Sequence, residues 1–105
     1  MSDSPAPVVA DNPAEQRYEI AVDGTVMGFA AYQRTAELVV FTHTEIDPAA
    51  EGQGLGGKLV RAALDDVRGQ GLRVLPVCPF VQEWIRRHPD YQDLDYRSPG
   101  SRVSD

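Results

Sequence analysis

The sequence predicts a single α+β domain, and three observations predict it. Strand-like segments run up to Ile46, a glycine-rich stretch then feeds an amphipathic helix, and a compact apolar segment follows that helix. With 105 residues, 42% of them hydrophobic, the chain can bury one core and is too short for two.

The first element, Arg17–Val22, alternates as a half-buried strand does. Asp23-Gly24 is a two-residue hairpin turn signal, and Thr25–Arg34 continues with β-branched and aromatic residues, so these segments form a β-hairpin. Residues 36–46 hold Leu38, Val39, Val40 and Phe41 and then alternate through Thr42, His43, Thr44 and Glu45, which predicts a third antiparallel strand. After Asp47-Pro48 comes the run Glu51-Gly52-Gln53-Gly54-Leu55-Gly56-Gly57-Lys58. Beyond it Leu55, Leu59, Val60, Ala63, Leu64 and Val67 recur at helical spacing. Gly69 and Gly71 end that helix, and residues 72–77 form a short apolar strand, parallel to the third because a helix lies between them. Pro79 opens a second helix in which Phe80, Val81, Trp84, Ile85 and His88 share a face, and Pro89 stops it. Residues 1–16, broken by Pro5, Pro7 and Pro13, and residues 96–105 are expected to be mobile tails around a domain at 17–95.

Composition excludes several classes of function. The lone cysteine, Cys78, cannot form an internal disulfide and offers no cluster for zinc, so no metal site is expected. The apolar runs fall short of the roughly 18–20 residues of a membrane span, and residues 1–16 lack the basic start and apolar core of a signal peptide. A soluble cytoplasmic protein is the expectation. The net charge of −6 lies mostly in the ends: residues 1–16 carry three acids and no base, and residues 90–105 carry four acids against two bases. The stretch between them is nearly balanced, so no basic stripe supports nucleic-acid binding, and oligomeric state stays open.

The glycine-rich run admits three readings. Gly52, Gly54 and Gly57 satisfy G-x-G-x-x-G, but no strand runs straight into the loop and no acid closes the next strand, as a dinucleotide site requires. Gly52, Gly57 and Lys58 satisfy the frame of a phosphate-binding loop, yet Leu59 stands where a hydroxyl must hold magnesium. In the third reading, the backbone N–H groups from Gln53 through Gly54, Leu55, Gly56 and Gly57 to Lys58 converge with the helix N-terminus on a pyrophosphate. A flexible linker or a packing-driven glycine cluster is the plain alternative.

Residues 42–94, THTEIDPAAEGQGLGGKLVRAALDDVRGQGLRVLPVCPFVQEWIRRHPDYQDL, strongly resemble the minimal, YjdJ-like branch of the GNAT N-acetyltransferase superfamily, over half the chain. The resemblance implies a GNAT-like fold, acetyl-CoA as the acetyl donor and an amine as acceptor. The superfamily loop motif, Gln or Arg, two residues, Gly, one residue, Gly or Ala, maps onto Glu51, Gly54 and Gly56. Glu51 departs from it. A carboxylate repels a pyrophosphate, so Glu51 is expected to point away and binding to rest on backbone amides and Lys58. The resemblance also implies that Ile46 N–H polarises the thioester or holds the pantetheine arm, and that the segment from Pro76 through Cys78 and Pro79 to Phe80 lines the thiol end of the cofactor. It further places Arg86 and Arg87 beside the CoA phosphates. Superfamily members are usually longer, and the elements missing here are often those that shape the acceptor site, so the acceptor stays open.

Acetyl transfer needs a neutral amine, a polarised carbonyl and a route for the leaving thiolate. Glu45 and His43, on one face near the end of the third strand, are placed to take the amine proton. Cys78, at a helix N-terminus where the macrodipole favours a thiolate, is the candidate nucleophile or acid, with direct transfer as the main route. Each has a plain alternative: a solvated strand edge for His43 and Glu45, a small buried hydrophobe for Cys78, a solvated surface for Arg86 and Arg87. Trp84 and Phe80 read as core, and His88 as a helix cap. A CoA-binding module without catalysis and a purely structural domain are the rival functions.

Overall fold

Alternation in Arg17–Val22 (β2) turns Tyr18 and Ile20 inward, and the hairpin that follows is the tight one its residues demand. Asp23 and Gly24 adopt φ of 54° and 82°, the left-handed pair whose twist matches the flanking strands. Thr25–Arg34 (β3) returns antiparallel and buries Gly28, Ala30 and Tyr32. Leu38–Ile46 (β4) pairs antiparallel with β3, after a turn in which Thr35 Oγ1 accepts from the amides of Glu37 and Leu38. A 3-10 turn over Pro48–Ala50, capped by the Asp47 carboxylate on Ala49 N–H at 2.8 Å, leads to the glycine loop.

Leu55–Gly69 (α1) buries the six residues whose spacing predicts it: Leu55, Leu59, Val60, Ala63, Leu64 and Val67. Arg73–Pro76 (β5) pairs parallel with β4, and Pro79–Arg87 (α2) closes the crossover. The computed structural model describes residues 6–97, in which five strands form one mixed sheet in sequential order, as the α+β expectation requires. α1 touches all five strands while α2 touches β4, β5 and α1, so both helices cover the same face. The core between them holds Ile20, Val39, Phe41, Leu59, Leu64 and Val74, all fully buried. Burying a side chain of this size is worth about 1.5–3 kcal/mol, enough in sum to hold the domain without a disulfide.

One expectation needs correction. The stretch read as a mobile tail carries a strand, Val8–Asn12 (β1), paired antiparallel with β2 at the sheet edge. Its signal is masked because the two inward positions are Val9 and Asp11, and Asp11 is buried by accepting from Tyr32 OH at 2.6 Å rather than by being apolar. At the other end Tyr96 N–H donates to Val74 O at 2.7 Å, which ties the start of the second expected tail to β5. The rest of both tail expectations, residues 1–5 and 98–105, lies outside the described residues.

A bulge in β4 sets the parity of the site. Tyr32 pairs with Phe41 and Ala31 with His43, so Thr42 is an extra residue without a partner on β3. Ala30 then pairs with Thr44 and Gly28 with Ile46. Phe41, Thr44 and Ile46 therefore share the helix-covered face with Tyr32, Ala30 and Gly28, while His43 and Glu45 share the open face with Ala31 and Phe29.

Candidate functional site

Parallel pairing stops at Phe41 and Pro76, yet β4 runs on to Ile46. The amides of Val77 and Cys78 both donate to Phe41 O, at 3.0 and 2.9 Å, and the chain then turns away into α2. The strands splay, and the gap becomes a cleft of about 400 Å³. Thr44 and Ile46 form one wall and Phe80 another. Ala50, Glu51, Gly52 and Gly54, with Leu55, Gly56 and Gly57 of the first turn of α1, complete the lining.

The loop is built to expose its backbone. Gly52 and Gly54 sit at φ of 87° and 74°, and Gly54 is the N-cap of α1 with no side chain capping it. The first amide of this segment to find a partner is that of Lys58, on Gly54 O at 3.3 Å; among the described residues the amides of residues 52–57 donate to nothing. Helix N-terminal amides left this way carry partial positive charge, the arrangement that binds phosphate groups. At Gly56 a Cβ would lie 2.6 Å from Phe80 Cζ, so glycine there lets the aromatic ring close over the loop. Free amides, a splayed strand end and an open cleft fit the diphosphate and pantetheine arm of a coenzyme A.

Of the residues singled out in the sequence, Ile46, Gly54, Leu55, Gly56, Gly57 and Phe80 line the cleft. Gln53, Lys58 and Pro79 are exposed beside it without lining it. Glu51, expected to point away, is among the lining residues, because it ends the Pro48–Ala50 turn where the chain enters the loop. Cys78 is buried at 4% exposure behind the cleft; its Sγ lies 3.4 Å from Thr44 Oγ1, and Thr44 is the residue that reaches the cleft. His43 and Glu45 do share a face, with Nε2 of the imidazole 2.7 Å from Oε2 of the carboxylate, but on the open side of the sheet. Arg86 and Arg87 stand at the far end of α2 from Phe80, and both bind Glu83. The two guanidiniums, Arg86 foremost, pull the exposed Glu83 carboxyl down to about 2.

Thr44, Ala50 and Gly52 are the lining residues that sequence reasoning missed. Thr44 was within reach, since it lies between His43 and Glu45 and must face the other way. His88 stacks on Trp84 with ring centroids 3.8 Å apart and bonds Trp84 O through Nδ1 at 2.7 Å, so it closes the end of α2. Among the described residues no group of three or more His, Cys, Asp or Glu is placed to hold a metal, and no helix is long and apolar enough to cross a membrane.

The comparisons bear on this geometry. The model of the GCN5-related N-acetyl-transferase family matches residues 17–94, which takes in the hairpin, the glycine loop, both helices and β5. Protein NATD1 of Bos taurus is 34% identical over 62 residues, covering 59% of this chain and 55% of that protein. Protein NATD1 of Gallus gallus is 32% identical over the same length, with 59% and 56% covered. The chain thus spans about half the length of these curated relatives. Among solved structures, a GCN5-like protein from Staphylococcus aureus superposes with a TM-score of 0.63 at 23% identity, over 84% of this chain and 86% of that one. Ard1 from Thermoplasma volcanium gives 0.55 at 25% identity, over 74% and 55%. A family match that spans the loop, the splayed strands and both helices leaves one assignment: the chain belongs to the GCN5-related N-acetyltransferase family.

Proposed function

We propose that this chain is an acetyl-CoA-dependent N-acetyltransferase acting on an amine. The observation that carries the reading is the row of unengaged amides over residues 52–57, turned to a cleft of about 400 Å³ at the splayed end of β4. Those amides hold the diphosphate, with Lys58 beside them adding charge. Ile46 and the unpaired end of β4 hold the pantetheine arm. When bound, acetyl-CoA supplies the acetyl group as an activated thioester.

An alkylamine enters as its ammonium at neutral pH and must lose a proton before its nitrogen can attack. The His43–Glu45 pair, one residue from the cleft wall at Ile46, takes that proton and passes it to solvent. Transfer is direct to the amine. Cys78 acts only through Thr44, because burial and the Thr44 hydroxyl separate its sulfur from the cleft.

Calorimetry with CoA and a thiol-release assay with acetyl-CoA and amines test the reading together. CoA binds, and thiol release depends on added amine. Glu45→Gln with His43→Ala lowers kcat about 100-fold while CoA affinity holds, the size expected for loss of a positioned base. Absence of CoA binding at millimolar concentration overturns the reading, and CoA binding without amine-dependent release leaves a binding module. Cys78→Ser keeps turnover; its loss with CoA binding intact moves Cys78 into the chemistry.

A further inference from the structure

On the other side of Ile46 from the cofactor cleft lies a second, smaller pocket of about 280 Å³. We propose that this pocket is the acceptor subsite, and that it selects a primary ammonium carried on a short apolar stem. The inference rests on the acetyl-transfer reading and adds to it where the amine sits and what kind of amine it is.

Three features converge. Ile46 lines both pockets, so a nitrogen held in the smaller one is separated from the cofactor cleft by a single side chain. That side chain is fixed: Ile46 folds across Gly28, where a Cβ would sit 2.5 Å from Ile46 Cδ1 and 2.7 Å from Glu45 O. The walls divide by chemistry, with Val26, Met27 and Phe29 apolar on β3 and Glu45 and Asp47 anionic at the end of β4. Neither carboxylate is spent. Asp47 gives Oδ1 to Ala49 N–H and Glu45 gives Oε2 to His43, which leaves each a second oxygen. No lysine or arginine lines the pocket, and the guanidinium nearest its aromatic wall, Arg17 at 4.6 Å from the Phe29 ring centre, is already paired with Glu19 at 2.8 Å.

Size and polarity narrow the substrate. A space of about 280 Å³ is at the lower bound of small-molecule sites, roughly 300 Å³, and holds a stem the size of one side chain. A second charge on the stem would lie against Val26, Met27 and Phe29 without a partner, which disfavours polyamines. The ammonium gives one proton to the His43–Glu45 pair. The freed lone pair forms the C–N bond to the thioester carbonyl carbon as the C–S bond breaks, and the sulfur leaves with that bonding pair and takes a second proton from nitrogen. The products are the amide, the free thiol and one proton released to solvent.

Initial rates of thiol release at saturating acetyl-CoA test this, with isopentylamine and phenethylamine against putrescine and spermidine. Nα-acetyl-lysine methylamide stands for the same stem on a peptide. The apolar monoamines give a kcat/KM about tenfold above the polyamines, and the lysine arm decides between free amine and side chain as the source. Asp47→Asn, which keeps the cap on Ala49, raises amine KM about tenfold with CoA affinity unchanged, the effect of losing one charge-assisted hydrogen bond. Val26→Asp, at a position already 45% exposed, shifts preference toward putrescine by placing a carboxylate on the apolar wall. Normal CoA binding and turnover with unchanged KM values and amine ranking in both variants overturns the subsite and leaves acetyl transfer standing. Failure to bind CoA overturns acetyl transfer, and the subsite with it.

Discussion

The first and last turns of α1 are built to opposite rules. At the N-terminal turn the amides of residues 52–57 find no acceptor among the described residues, no side chain caps Gly54, and a cleft opens in front. At the C-terminal turn the amides of Gln70, Gly71 and Leu72 bond back to the carbonyls of Asp66, Val67 and Arg68. Side chains lock that end further: Tyr18 OH and Gln70 Nε2 both donate to Asp66, at 2.6 and 2.7 Å, and Arg68 holds Asp93 and Asp90 O. One helix thus divides its labour. The closed end anchors α1 to β2 and to the segment after α2, and that anchorage holds the open end in place while it waits for a ligand.

The largest expected effect breaks the open end without touching the closed one. In Gly56→Ala the new methyl meets Phe80 Cζ at 2.6 Å, and the ring, 43% exposed, must swing out over the cleft. CoA affinity falls about 10–100-fold, as for loss of one or two charge-assisted hydrogen bonds. Thermal stability holds or rises, because alanine is the better helix former by about 1 kcal/mol. Unaltered CoA affinity would mean that the cleft under Phe80 is not where the cofactor lies.

The converse experiment acts at the closed end. Tyr18→Phe removes the donor to Asp66 beneath α1 and lowers stability by about 1–3 kcal/mol, the cost of an unsatisfied partner, with CoA affinity unchanged. A loss of affinity equal to the loss of stability would show that the two ends are not independent.

This division was half legible in the sequence. Six apolar residues at helical spacing mark the buried face of α1, and the glycines before them mark an exposed backbone, because both signals are local. The closed end was invisible, since its partners are 48 residues away in Tyr18 and 25 away in Asp93, and nothing near Asp66 or Arg68 announces them. β1 went unread for a related reason: Asp11 on its inward face is satisfied by Tyr32, a partner on a strand not adjacent to it. The bulge at Thr42 is the costliest omission, because one unpartnered residue decides which side of the sheet holds Thr44 and Ile46 and which holds His43 and Glu45.

Alkaline titration probes the closed end through the same tyrosines. Burial, then the hydrogen bond to Asp11, pushes Tyr32 up to about 12, and burial with Asp66 pushes Tyr18 upward as well. Phenols raised this way stay protonated in the folded chain while those of the unfolded chain ionise near 10. Their contribution is therefore whole below about pH 10 and is lost as pH climbs from there toward 12. Denaturant midpoints measured across that window fall in the parent chain and fall less in Tyr18→Phe with Tyr32→Phe; equal slopes would remove the phenols from the alkaline transition.

The smallest effect belongs to Arg68. Its guanidinium is the most heavily engaged cation of the closed end, on both oxygens of Asp93 and on Asp90 O, yet the side chains of Arg68 and Asp93 are 43% and 55% exposed. Solvent screening at that exposure limits an ion pair to about 0–1 kcal/mol whatever its geometry. Arg68→Ala therefore lowers stability by less than about 1 kcal/mol, and 1 M salt, whose screening length is about 3 Å, removes the electrostatic part of the difference. CoA affinity does not move. A stability loss several times larger that survives in salt would mean that the closed end rests on Arg68 packing against the Tyr91 ring, 5.5 Å away, rather than on Tyr18 and Asp66, and the anchor of α1 would then lie on its α2 side instead of on the sheet.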